Sequence, residues 1–157
     1  MSILEQELRR ELVRFGTWVS RSGQTPGTTG NLLVRLDDER RLATPTGMSK
    51  ALMKQTDMVI TDLRGRLISG SRNVTSEIGM HVAIYVRRSD VQAVIHSHPP
   101  IATAFAGSGR AIDEVLCQEP IMTLGTVPLA QYATTGTDEV GASLGPHIAT
   151  RDAIMAQ

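Results

Sequence analysis

The residues richest in chemistry are two histidines in the run Val94-Ile95-His96-Ser97-His98-Pro99-Pro100. If this run is a strand, side chains at i and i+2 share a face. Both imidazoles then reach one point, and neutral imidazole is a ligand for zinc, manganese, iron or cobalt. Pro99-Pro100 ends the strand at once and leaves the pair at a sheet edge, where functional residues concentrate. On spacing alone a plainer reading stays open, in which one histidine is buried and the other solvated. A catalytic metal normally takes three protein ligands and keeps one position open. The other histidines do not complete that set. His81 lies mid-helix, four residues after Glu77, where a core or supporting role fits; His147 follows Gly145-Pro146 near a helix end, a surface or capping position.

Glu77 is the nearest candidate for acid–base work. It opens the helix that precedes the histidine strand, so it is either a general base beside the metal or a first-turn acid that offsets the helix dipole. Three polar loops could hold an anion: Gly30-Asn31, Thr46-Gly47 and Thr75-Ser76. Each offers small residues with free N–H or hydroxyl groups, and Thr75-Ser76 also stands at a helix start, where unpaired N–H groups attract negative charge. Singly each is also an ordinary turn or cap. Lys50, in the second loop, could add charge to them, although an exposed loop lysine usually has no role.

These residues need elements to position them. Leu4, Leu8, Leu12, Phe15 and Val19 recur at helical spacing over 3–21, and Gly23 ends that helix. Strands are predicted at 32–36, 41–44, 57–63, 67–69, 91–98 and 121–124, with a further strand beginning at 152. Helices are predicted at 76–87, 99–106 and 137–149, the last opened by Asp138 and Glu139, while 107–120 is irregular. Short strands mixed with helices argue an α/β or α+β sheet covered by helices.

Bulk properties exclude several classes. The 157 residues suit one domain, and 41% hydrophobic with 3% aromatic content implies an aliphatic core. Sixteen basic residues balance 16 acidic ones, which argues against a nucleic-acid groove or an anionic-membrane patch. One cysteine, Cys117, allows no internal disulfide and agrees with a reducing compartment. The charged N-terminus does not read as a signal peptide, and no apolar run has membrane-spanning length, so a cytoplasmic protein is expected.

Taken together, Gly30-Asn31-Leu32-Leu33-Val34-Arg35, Thr44-Pro45-Thr46-Gly47, Thr75-Ser76-Glu77, Met80-His81 and Val94-Ile95-His96-Ser97-His98-Pro99 resemble the class II aldolase/adducin superfamily, most of all its L-fuculose-1-phosphate aldolases. The resemblance runs through essentially the whole chain. It implies an α/β fold with a central, largely antiparallel sheet flanked by helices on both sides in three layers, and a homotetramer. It assigns His96, His98 and Glu77 to zinc, Glu77 to catalysis, and Gly30, Asn31, Thr46, Gly47, Thr75 and Ser76 to a substrate phosphate. The implied reaction cleaves a sugar 1-phosphate to dihydroxyacetone phosphate and an aldehyde through an enediolate, with Glu77 moving the carbon-bound proton. The family's third zinc histidine lies in a His-Gly motif after a strand resembling Ala153 to Gln157, so residues 1–157 are expected to be a single domain truncated at its C-terminus.

Val74 and Thr75 depart mildly from the family's usual proline and serine. A tyrosine expected ahead of Pro128 to Tyr132 is replaced by Cys117 or Gln118, which leaves the aldehyde partner undefined. A sugar-phosphate 4-epimerase, dehydratase or decarboxylase would use the same zinc and phosphate loops. An adducin-like interaction domain is the alternative of another class, against which His96, His98 and Glu77 all weigh.

Overall fold

A computed structural model describes residues 2–112 and 122–157 of the chain. Its first helix, α1 (Ile3–Arg21), starts where the Ser2 hydroxyl accepts the Glu5 N–H at 3.1 Å. Its buried residues are Glu5, Leu12, Gly16 and Val19, whereas Leu4 and Phe15 of the expected stripe are exposed. Glu5 is tolerated inside because Arg9 pairs with it at 2.9 Å and also donates to the carbonyls of Gln55 and Met58. Gly16 is there for close approach: a Cβ on it would lie 2.8 Å from the Met53 methyl and 3.3 Å from the Lys50 carbonyl.

Five strands follow, β1 (Asn31–Arg35), β2 (Arg41–Ala43), β3 (Val59–Thr61), β4 (Leu67–Ser69) and β5 (Ala93–His96). They form one sheet in the order β4-β3-β2-β1-β5, and every neighbouring pair is antiparallel. The pleat sorts their side chains. Leu32, Leu42 and Ile60 face α1 with Leu12, Val19, Met53 and Met58. Leu33, Ala43 and Val59 face the other way, toward α2 (Ile78–Arg87), where Tyr85 and Ile78 close the core. Behind α2 lies α4 (Asp138–Ile148), the two joined through Met80, Leu144 and Ile148. Gly141 permits that contact, since a Cβ there would stand 2.8 Å from the Ala83 Cβ. A short α3 (Pro100–Gly107) follows β5. The sheet is thus covered on both faces, in agreement with the expected helix-flanked antiparallel architecture.

Several boundaries move. The helix expected from 76 begins at Ile78, because Thr75–Glu77 is spent on a turn in which the Ile78 N–H donates to the Thr75 carbonyl at 3.2 Å. The strand expected at 91–98 contracts to Ala93–His96. Residues 122–124 are helical where a strand was expected, and Ile121 lies outside the described residues, as do Cys117, Gln118 and most of the segment expected to be irregular. At the other end, Met155 makes a single parallel bridge to Leu129 rather than opening a longer strand.

Candidate active site

The β1–β5 register puts Asn31 opposite His96, so the start of one strand meets the end of the other. Gly30 makes this approach possible: it sits at φ 71°, and a Cβ on it would fall 2.6 Å from the His96 carbonyl oxygen. His98 lies past the end of β5, held by its N–H donating to the Gln24 carbonyl at 2.8 Å. The two imidazoles nevertheless face one another, with Nε2 atoms 2.9 Å apart and ring planes at 82°.

Glu77 arrives from the opposite side. It occupies the N-cap position of α2 but makes no capping bond with its side chain. One carboxylate oxygen stands 3.2 Å from His96 Nε2, and the other accepts the Asn31 amide N–H at 2.7 Å. The Asn31 amide oxygen meets Nε2 of His81, a histidine with no exposed surface. Because the Asn31 N–H group is given to a carboxylate, its oxygen must accept, and His81 must carry its proton on Nε2. Among the described residues, His81 Nδ1 is then a buried lone pair without a partner. Burial and the neighbouring His96 push the His81 pKa down to about 3, which keeps it neutral.

The hydrogen bond from His96 outweighs burial and holds the Glu77 carboxyl at about 2, so it is ionised. Burial, then His96, lower the His98 pKa and favour the neutral imidazole that a metal needs. Glu77, His96 and His98 together offer one ligand atom each, all within 4.8 Å of one another. Ligands on one tetrahedral zinc-sized ion sit about 3.3 Å apart, given metal–nitrogen distances of about 2.0–2.1 Å. The donor set therefore fits a divalent metal in type, charge and spacing. His147 stands in the last turn of α4 and takes no part in the trio.

All six residues proposed for an anion, Gly30, Asn31, Thr46, Gly47, Thr75 and Ser76, line one open cleft of about 430 Å³ with Glu77 and His98. The second and third loops are tied by a bridge between Pro45 and Val74, and by the Thr46 N–H donating to the Asn73 carbonyl at 3.2 Å. Among the described residues, the N–H groups of Gly30, Gly47 and Ser76 donate to no protein acceptor. The Asn31 side chain, by contrast, is engaged by His81 and Glu77. Thr28, Thr29, Thr135 and Gly136 also line the cleft. The last two come from a turn before α4 that carries no motif, so only the packing of α4 on α2 reveals them.

A family description, the class II aldolase and adducin N-terminal domain, matches residues 10–157. The chain belongs to this family. The 5-deoxy-D-ribulose 1-phosphate aldolase of Bacillus thuringiensis serovar kurstaki is 34% identical over 146 residues, covering 85% of this chain and 68% of that protein. A methylthioribulose-1-phosphate dehydratase of Pectobacterium atrosepticum is 30% identical over 112 residues, covering 71% of this chain and 55% of the relative. Among solved structures, an L-fuculose 1-phosphate aldolase superposes with a TM-score of 0.86 at 30% identity, over 96% of this chain and 71% of that one. The chain thus spans between about half and about seven tenths of these class II aldolase-family proteins. Among the described residues no helix is long and apolar enough to cross a membrane.

Proposed function

We propose that this chain forms the metal- and phosphate-binding body of a zinc-dependent class II aldolase that cleaves a sugar 1-phosphate, such as L-fuculose 1-phosphate, to dihydroxyacetone phosphate and an aldehyde. One observation carries the reading: a trio of metal-type donors and three loops with unspent N–H groups open onto the same cleft. Phosphate binds to the Gly30, Gly47 and Ser76 N–H groups and the Thr46 hydroxyl, which fixes the carbons of the substrate beside Glu77. His96 and His98, joined by Glu77 when substrate is absent, would hold the metal, which would supply a Lewis acid that stabilises negative charge developing on a substrate oxygen, worth several kcal/mol.

Glu77 is the general base, taking and returning a carbon-bound proton. With His96 bonded to it, the carboxylate is too weakly basic for that task, since an efficient base has a pKa near the working pH. Release of the His96 bond while Asn31 keeps its own raises the basicity and preserves the aim of the other oxygen. Neutral His81 orients Asn31 and so sets the direction of Glu77. A cytoplasmic homotetramer belongs to the same reading.

The dehydratase relative supports a second outcome on the same groups, in which the proton removed by Glu77 is followed by loss of water instead of carbon–carbon cleavage. The test incubates the complete protein separately with L-fuculose 1-phosphate and L-ribulose 5-phosphate. Triose phosphate from the first supports the aldolase. Conversion of the second to an epimer, or neither substrate yielding triose phosphate, rejects it.

A further inference from the structure

Lys50 differs from its sequence expectation more than any other residue near the cleft. It was expected to be an exposed loop lysine, yet it is 1% exposed and ranks among the largest fully buried side chains. Lysine is almost never buried this far without an ionic partner. Among the described residues no carboxylate lies within ion-pair distance of it. Its ammonium donates instead to two backbone carbonyls, Met48 at 2.8 Å and Thr28 at 3.2 Å. Those carbonyls belong to different walls of the cleft: Thr28 precedes Gly30, and Met48 follows Gly47. The third N–H of the ammonium has no acceptor among the described residues.

Gly16 of α1 closes the space beneath, its missing Cβ leaving room for the Lys50 carbonyl and Cβ. Methionine would fill such a space without the cost of desolvating a charge. Burial lowers the Lys50 pKa, and the negative charge of Glu77, which lines the cleft, opposes that shift. A fixed charge in a poorly screened interior acts strongly on an anion nearby.

Building on the phosphate cradle proposed above, we propose that Lys50 is a positioning residue of that cradle. Its buried ammonium staples the first loop to the second and adds positive charge to a cradle otherwise made of neutral N–H and hydroxyl groups. It acts through the loop backbones and through space, without touching the metal trio.

The test measures inorganic phosphate binding by calorimetry, metal content, thermal stability, kcat and KM on the complete protein and on Lys50→Met and Lys50→Arg. Wild type is expected to bind phosphate. Lys50→Met should weaken phosphate and raise KM by about tenfold or more, because a poorly screened charge is lost. Metal content and kcat at saturation should stay near wild type, and the melting temperature should hold or rise. Lys50→Arg should recover most of the affinity. Unchanged phosphate affinity in a folded Lys50→Met overturns the proposal, as does equal loss of metal, kcat and stability in both variants. If Lys50→Met does not fold, Lys50→Gln against Lys50→Arg decides the same point, and equal phosphate affinity in those two overturns it. Failure of the wild type to bind phosphate overturns the cradle itself, and is thereby distinct from failure of Lys50 alone.

Discussion

Where β1 turns into β2, charge is largely met from within the chain. Asp37 accepts from Arg40 and caps the turn, while Arg41 donates to the carbonyls of Asp37 and Arg40 at 2.7 and 2.9 Å. Arg35 and Arg41 flank the Tyr85 ring at 5.1 and 4.9 Å, and the Tyr85 hydroxyl donates to the Leu33 carbonyl at 3.0 Å. At the other end of the same strands, charge is left open. Two imidazoles face each other and Glu77 holds an ionised carboxylate; among the described residues Lys50 has no anion and three backbone N–H groups are unspent. Both ends bury polar groups, and burial is costly unless partners are found. The hairpin end finds most of them within the chain, Arg41 Nε being an exception among the described residues, and serves stability. The loop end leaves them for a ligand, which is where a binding site differs from a structural one.

That contrast can be broken by mutation. At the loop end, His96→Ala should remove bound metal and essentially all activity with the fold retained; metal analysis and circular dichroism check this, and full metal content would reject the trio as ligands. Glu77→Gln should keep phosphate affinity but lose about 10²–10⁴-fold in proton exchange at the substrate carbon, the usual worth of a positioned base. Exchange into deuterated solvent followed by NMR measures it, and an undiminished rate removes Glu77 from that role.

At the hairpin end the effects should be smaller and fall on stability alone. Tyr85→Phe deletes one buried hydrogen bond and should cost about 1 kcal/mol in denaturant unfolding, with kcat and KM unchanged. A change in activity would mean that the two ends are coupled. Asp37→Asn should have the least effect. The Arg40 bond holds the Asp37 pKa below its ordinary value, so between the two values the unfolded chain binds more protons. Stability from this residue is then present above the ordinary carboxylate pKa and lost as pH falls through the lowered one. The variant should flatten that part of the acid limb of a stability–pH curve, losing a small increment at neutral pH and none below the lowered pKa.

Legibility in the sequence follows the range of each interaction. The periodicity of α1, the hairpin around residues 37–40 and the helix after Thr137 are local, and they appear with boundaries shifted by a residue or two. The spacing of His96 and His98 marked the pair, although His98 reaches its partner from beyond the strand and not from within it. The short helix near 122 was misread because a brief apolar run carries no decisive period. The link from His81 through Asn31 to Glu77 joins residues 50 and 46 positions apart, and no local pattern encodes it.

By itself the sequence determined which groups are available: imidazoles, one carboxylate at a helix start, and small residues where loops must turn. The β1–β5 register, the approach of α1 at Gly16 and the packing of α4 on α2 decided which of those groups meet. Lys50 is the clearest case. Its charge is written in one residue, but its burial depends on α1, 34 positions earlier, and on the loop at Thr28. Desolvation belongs to whatever surrounds a group, so only the tertiary structure could turn an ordinary loop lysine into a buried charge.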